Sequence, residues 1–179
     1  MMFRILLSYL TFPGIIVHEF AHAWACRRLG IRVAKVCYLR FGNPQGFVLH
    51  ERPSSALQHI MVAVAPFFVS TLLALAISFA TCLLVQSSAP SETCNTVMLL
   101  AVWCSFSLAL HALPSSGDAD ALWADVKSPE VGFFAKILLL PVVGVIRLAQ
   151  QGSRFWLDIL FALMIVALPP VVLLVRIGV

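Results

Sequence analysis

Long apolar runs separated by short polar segments dominate the chain. A helix that crosses the hydrocarbon core of a bilayer, about 30 Å thick, needs roughly 20 apolar residues. By this length, residues 3–26, 56–85, 96–113 and 155–175 are predicted transmembrane helices. A fifth apolar stretch, 131–149, carries two basic residues with a proline between them. We expect an interfacial or re-entrant helix there, with a fifth span as the alternative.

The segment between the first two spans, residues 31–50, has a different pattern. Residues 33–41 and 47–50 are rich in β-branched and aromatic side chains and flank the loop 42–46, which reads Gly-Asn-Pro-Gln-Gly. Two such runs around a glycine-containing loop predict a β-hairpin. The hairpin is either a plain membrane-surface loop or an edge strand onto which an extended peptide adds.

Composition agrees with this pattern and narrows the class of protein. Hydrophobic residues make up 61% and charged residues 11% of the 179 residues, with a mean hydropathy of +0.98. Soluble domains have about 45–50% apolar and about 25% charged residues. The five cysteines form no Cys-x-x-Cys pair, which argues against a cysteine metal site. We therefore expect a single all-α, multi-pass membrane domain over 1–179, with about four spans, one interfacial helix and the hairpin.

The basic residues indicate the topology of the chain. Six of the twelve follow the first span and four lie between residues 113 and 155, which leaves only Arg4 and Arg176 elsewhere. Because basic residues are enriched in cytoplasmic segments, both regions are expected inside and the N-terminus outside. This explains the net charge of +4 without a nucleic-acid partner.

The first span contains a cluster of polar residues that would be unfavourable in hydrocarbon unless another interaction stabilised it. Residues 18–22 read His-Glu-Phe-Ala-His, and an acidic side chain at mid-bilayer costs roughly 2.5–3.5 kcal/mol. His18 and His22 lie one helical turn apart, so both imidazoles can reach one metal ion. Glu19 is rotated by about 100° from His18, beside that ion rather than aimed at it. The pattern predicts a metal centre within the membrane.

Two histidines, an oxygen ligand and a water molecule make up a typical catalytic zinc site. We expect one Zn²⁺, held by His18 and His22, that lowers the pKa of its water to about 7. Glu19 would accept the proton as the water attacks a carbonyl group.

Residues 18–33, which read HEFAHAWACRRLGIRV, resemble the site-2 protease family of intramembrane zinc metalloproteases. In that family the motif is likewise followed by small residues, a basic residue and a glycine before a β-prone run. The resemblance implies hydrolysis of peptide bonds in membrane-embedded substrates near the cytoplasmic face. It also implies that substrate peptides lie along the hairpin.

A third ligand is expected in the segment 111–123, which the topology brings to the same side of the membrane as the histidines. The family carries Asn-x-x-Pro and a ligating aspartate followed by glycine, five residues after the proline. Here His111 replaces the asparagine, Pro114 is in step, and Asp118 and Asp120 follow at four and six residues. The resemblance implies Asp118 as the ligand, with Asp120 or His111 as alternatives. Asp118 would otherwise be a helix N-cap.

The family's substrate-binding element, Gly-Pro followed by asparagine, corresponds here to Ala65-Pro66 and Ser70. Ser70 and His111 are therefore candidates for holding the substrate. The expected partners are the lipid bilayer and a transmembrane protein or peptide substrate. Two other functions stay open: a catalytically inactive, metal-binding membrane regulator, and a metal-free structural or transport protein.

Overall fold

The computed structural model describes residues 2–87, 91–129, 131–153 and 155–177, so Arg154 lies outside the described residues. The elements are α1 (Met2–Leu10), α2 (Phe12–Arg28), β1 (Val33–Cys37), β2 (Phe47–His50), α3 (Ala56–Ser87), α4 (Glu92–Leu110), α5 (Ser116–Lys127), α6 (Phe133–Ser153) and α7 (Leu157–Ile177). The predicted helical class, with a hairpin after the first helical segment, is confirmed.

Within the described ranges, three helices are long and apolar enough to cross a membrane, namely α3, α4 and α6. Helices α1 and α2 meet the same requirement together as a bent pair, which would add a fourth span. Helix α7 contributes a shorter apolar helix, Leu157–Leu173. By length and composition the chain is therefore a multi-pass integral membrane protein.

The first predicted span, 3–26, is two helices that meet at 75° rather than one continuous helix. The break lies at Thr11, whose hydroxyl donates a hydrogen bond to the carbonyl of Leu7 at the end of α1 (2.8 Å). Pro13 follows within the first turn of α2. Since proline lacks an N–H group and restricts the residue before it, it fits the start of a new helix and not the interior of a continuous one.

The ends of two other apolar helices differ from the sequence boundaries. Helix α4 begins at Glu92 rather than at residue 96, because Ser91 caps it by accepting a hydrogen bond from the N–H of Cys94 (3.1 Å). Helix α6 runs through Pro141 to Ser153. Its length and hydropathy match a span, which favours the alternative of a fifth span over an interfacial helix.

Small and polar residues pack the helices closely. The hydroxyls of Ser105, Ser107 and Ser78 donate to backbone carbonyls of α3, Thr11 and α7, respectively, at 2.7–2.8 Å. Such interhelical hydrogen bonds are typical of membrane bundles, where lipid provides little hydrophobic driving force for association. Helices α5 and α6 pack together on the first turns of α3, around Ala63 and Leu122.

The hairpin brings its loop towards the helices. Strands β1 and β2 pair antiparallel, with Cys37 opposite Phe47 at the loop end. Strand β1 ends at Cys37 rather than at residue 41, because Arg40 hydrogen-bonds the carbonyls of Pro44 and Gln45 across the loop. The hydroxyl of Tyr9 in α1 accepts a hydrogen bond from the N–H of Gly42 (2.8 Å) and so holds the loop against α1.

Candidate metal centre

Helix α2 presents two buried histidines to the interior of the bundle. The Nε2 atoms of His18 and His22 lie 3.2 Å apart, and both side chains are about 90% buried. Each Nδ1 donates its proton to a backbone carbonyl, that of His111 for His18 (2.7 Å) and that of Val62 for His22 (3.0 Å). These hydrogen bonds fix the ring orientation and leave both Nε2 lone pairs free for a metal ion.

The two carbonyls that orient the rings lack an ordinary helical donor. The carbonyl of Val62 in α3 would accept from the residue four positions later, but that residue is Pro66, which has no N–H group. His111 is the C-cap of α4, and carbonyls at helix ends have no intrahelical partner. Pro66 and the end of α4 therefore leave two backbone carbonyls free to accept hydrogen bonds from the histidines.

Asp118 meets the histidines from the first turn of α5. Its Oδ1 lies 3.2 Å from Nε2 of His22, and its Oδ2 lies 3.8 Å from Nε2 of His18. Oδ2 also accepts hydrogen bonds from the N–H and hydroxyl of Ser115, both at 2.7 Å, in a capping box. Burial acts to raise the pKa of the Asp118 carboxyl, but the imidazoles of His18 and His22, when protonated, outweigh it and hold the pKa below its ordinary value.

The distances among these three groups fit a single small cation. One ligand atom from each of His18, His22 and Asp118 lies within 4.8 Å of the others. Tetrahedral zinc with bonds of about 2.0–2.2 Å requires ligand atoms roughly 3.3 Å apart. The two Nε2 atoms are 3.2 Å apart, and Oδ1 of Asp118 is 3.2 Å from Nε2 of His22. Both distances are close to that edge length, so the donor set fits zinc.

Glu19 lines a cavity of about 730 Å³ that is also lined by His18. The hairpin loop forms one wall: a Cβ on Gly46 would lie 2.6 Å from Cγ of Glu19, so any larger residue there would displace the Glu19 side chain. The cavity is also lined by residues of α1, the segment joining α4 to α5, and the segment joining α6 to α7. Sequence reasoning missed the contact between the loop and Glu19; the glycine at position 46 was the only signal for it.

Other sequence-predicted residues lie away from the three ligand atoms. Asp120 is 72% exposed and pairs with Arg147 at 3.0 Å. The imidazole of His111 lines the cavity, where its Nε2 hydrogen-bonds Thr11 at 2.9 Å. Ser70 is fully buried in α3, does not line the cavity, and its hydroxyl has no hydrogen-bond partner among the described residues.

The expectation that Asp118 would alternatively be an N-cap is close to what is observed. Ser115 is the N-cap of α5 and Asp118 is the third helical residue, which returns a hydrogen bond to the cap. The spacing Ser115-x-x-Asp118 is a capping-box signature that could have been found in the sequence. Asp118 can cap the helix and approach the histidines at once, because Oδ2 accepts the hydrogen bonds from Ser115 while Oδ1 lies closest to His22.

No protein-family model, curated protein or solved structure matches the chain. What the site can do chemically therefore follows from its own donor set. Two neutral imidazoles, one carboxylate and a neighbouring second carboxylate form a group suited to a divalent cation and to proton transfer beside it.

Proposed function

We propose that the protein is an intramembrane zinc metalloprotease, similar to the site-2 protease family, that hydrolyses peptide bonds of membrane-embedded substrates. The observation that carries the proposal is the approach of Asp118, 96 residues further along the chain, to the histidines of an HExxH motif in a bundle of membrane helices. A chance HExxH helix has no reason to attract a buried carboxylate to both imidazoles.

The charges support zinc as the occupant. Two neutral histidines, the carboxylates of Asp118 and Glu19 and one Zn²⁺ add up to no net charge. Such a neutral cluster is far cheaper to hold in low dielectric than the two carboxylates alone.

Zinc, when bound, supplies Lewis acidity towards the carbonyl of a peptide bond and makes an adjacent water molecule more acidic. Glu19 is placed for the proton transfers, because it lies on the cavity wall beside His18 and is not one of the three grouped ligands. Its carboxylate accepts a proton from the attacking water and returns it to the amide nitrogen that leaves. General acid–base help of this kind contributes about 10²–10⁴ in rate.

The hairpin is the proposed guide for the substrate. Residues 43–46 of its loop form a wall of the cavity next to Glu19. Within the part of the chain that the structure describes, each of its two strands has one edge without a strand partner. An extended peptide that adds to such an edge would be led along the loop towards Glu19. We place this end of the bundle on the cytoplasmic side, because the basic residues that follow α2 belong there.

The test is cleavage of transmembrane peptides by the purified protein in liposomes, followed by mass spectrometry. Glu19→Gln should retain zinc, because Glu19 is not a ligand, and lose cleavage by about 10²–10⁴. Glu51→Gln is the matched control, since Glu51 is 63% exposed beside Arg32. Undiminished cleavage by Glu19→Gln would remove Glu19 from the mechanism.

One observation favours the inactive metal-binding regulator as a second candidate. Ser70 does not line the cavity, and Nε2 of His111 is engaged by Thr11, so neither side chain is free to stabilise an oxyanion. Stoichiometric zinc in the wild type with no cleavage of any transmembrane peptide would support the regulator. Absence of zinc would support a metal-free structural or transport protein.

A further inference from the structure

A second buried carboxylate lies on α5, outside the metal centre. Asp125 is about 90% buried, as is His59, which donates from Nδ1 to Oδ2 of Asp125. Arg52 approaches the other oxygen, Oδ1, at 2.9 Å. A buried carboxylate with two directed donors is a strong and geometrically specific contact.

Asp125 and Asp118 lie on the same face of α5. They are seven positions apart, which is nearly two full helical turns and about 10 Å along the helix axis. At one end of this face, Asp118 meets His22, and at the other end, Asp125 meets His59. The helix is therefore tied to its neighbours at two points, and only one of these is the metal centre.

Both ties lead to the same stretch of α3. His59 is one turn before Val62, whose carbonyl accepts the hydrogen bond from Nδ1 of His22. The contacts therefore link α5 to α3 at two places. One link runs from Asp118 through His22 to the carbonyl of Val62, and the other runs directly from Asp125 to His59. A shift of α5 along its axis would lengthen the Asp118–His22 and Asp125–His59 contacts together.

Apolar packing alone does not set that axial position. Ala119 and Leu122 are fully buried between the two carboxylates and pack against Ala63 of α3. Such packing is non-directional, so it holds α5 close to α3 but discriminates weakly between small axial shifts. The hydrogen bonds of Asp125 are directional and tolerate little displacement.

We propose that Asp125, held by His59 and Arg52, is a positioning residue that fixes the axial position of α5 and thereby places Asp118 against the metal ion. The inference rests on the metal site of the proposed function and does not depend on proteolysis. Supporting contacts of metal ligands commonly change metal affinity by about 10–100-fold when removed.

The test uses Co²⁺ as a spectroscopic probe of the purified full chain in detergent. Asp125→Asn should weaken Co²⁺ binding by about 10–100-fold and shift the visible absorption spectrum towards that of Asp118→Ala. Asp120→Asn is the matched control, because it removes an exposed ion pair from the same helix, and it should match the wild type. A purely structural role would lower thermal stability but leave the spectrum of the folded, Co²⁺-loaded protein unchanged.

A second pair of variants covers the case in which Asp125→Asn does not fold. His59→Asn keeps an N–H donor near the position of Nδ1, whereas His59→Ala removes it, so the asparagine variant should retain more of the wild-type spectrum. A wild-type spectrum in Asp125→Asn, or equal losses in the two His59 variants, would overturn the inference alone. Failure of the wild type to bind Co²⁺ would overturn the metal site and the proposed function with it.

Discussion

Replacement of Gly14 by alanine should disturb the metal centre from outside its ligands. Gly14 lies where α2 crosses the end of α4, and its N–H donates to the hydroxyl of Ser107 (2.8 Å). A Cβ at this position would lie 2.7 Å from Cδ2 of His111 and 2.8 Å from the backbone carbon of Ser107. Much of this obstacle is backbone, which cannot move aside as a flexible side chain can.

The size of the effect follows from these distances. Non-bonded carbon atoms pack at about 3.5–4.0 Å, so α2 and α4 would have to separate by about 1 Å. The hydrogen bond from Nδ1 of His18 to the carbonyl of His111, now 2.7 Å, would then exceed the range of a hydrogen bond. Loss of such a supporting contact weakens metal binding by about 10–100-fold. Overpacking costs about 1–3 kcal/mol, of which the better helix propensity of alanine offsets up to about 1 kcal/mol.

Thermal unfolding and zinc competition titration in detergent measure the two effects separately. Gly144→Ala in α6 is the matched control, because a Cβ there meets nothing within 4 Å and should stabilise the helix by about 0.5–1 kcal/mol. If Gly14→Ala had the same stability and zinc affinity as Gly144→Ala, the close crossing of α2 and α4 would not support His18, and the reasoning would fail.

Two further predictions concern the ligand shell. Asp118→Ala should abolish stoichiometric zinc binding in detergent-purified protein, as measured by elemental analysis. Asp120→Ala should retain zinc, because only Asp118 approaches the histidines. The reverse pattern would assign the ligand role to Asp120 instead of Asp118. Pro66→Ala restores an N–H donor to the carbonyl of Val62, which then competes with Nδ1 of His22, so zinc should dissociate several-fold faster in a chelator chase. Pro141→Ala in α6 is its control, and equal rates in the two variants would refute a role for Pro66 in orienting His22.

The sequence predicted most of the membrane helices because their signal is a length of apolar chain, which hydrocarbon thickness dictates directly. The exceptions are 155–175, expected as a span, which contributes only the shorter apolar helix Leu157–Leu173, and 131–149, expected as interfacial, where α6 is long enough to span. It did not predict the bend at Thr11, since the apolar run continues without interruption from α1 into α2. Only Pro13 signalled a break, and proline is frequent in membrane helices, where neighbours satisfy the freed backbone groups. The hairpin was predictable from its β-prone runs, but its contact with Glu19 depends on tertiary packing.

The third member of the metal group could not be singled out from the pattern alone. Asp118 and Asp120 lie two residues apart, so a helix separates their directions by about 200°. Only one of the two aspartates can therefore face the bundle. Which one does so depends on how α5 packs against α3 and α6. The capping box with Ser115 would have been a local signal for Asp118, because it fixes the start of the helix and hence the direction of the side chain.

The supporting contacts explain why a polar cluster can be stable among apolar helices. A buried imidazole requires an acceptor for its N–H, and in a helix nearly every carbonyl is already engaged. Pro66 removes the donor that would engage Val62, and the end of α4 leaves the carbonyl of His111 without a helical partner. Interruptions that weaken isolated helices therefore provide the acceptors that orient His18 and His22. On this argument, the prolines and helix ends around the site belong to the metal centre as much as the side chains that approach the ion.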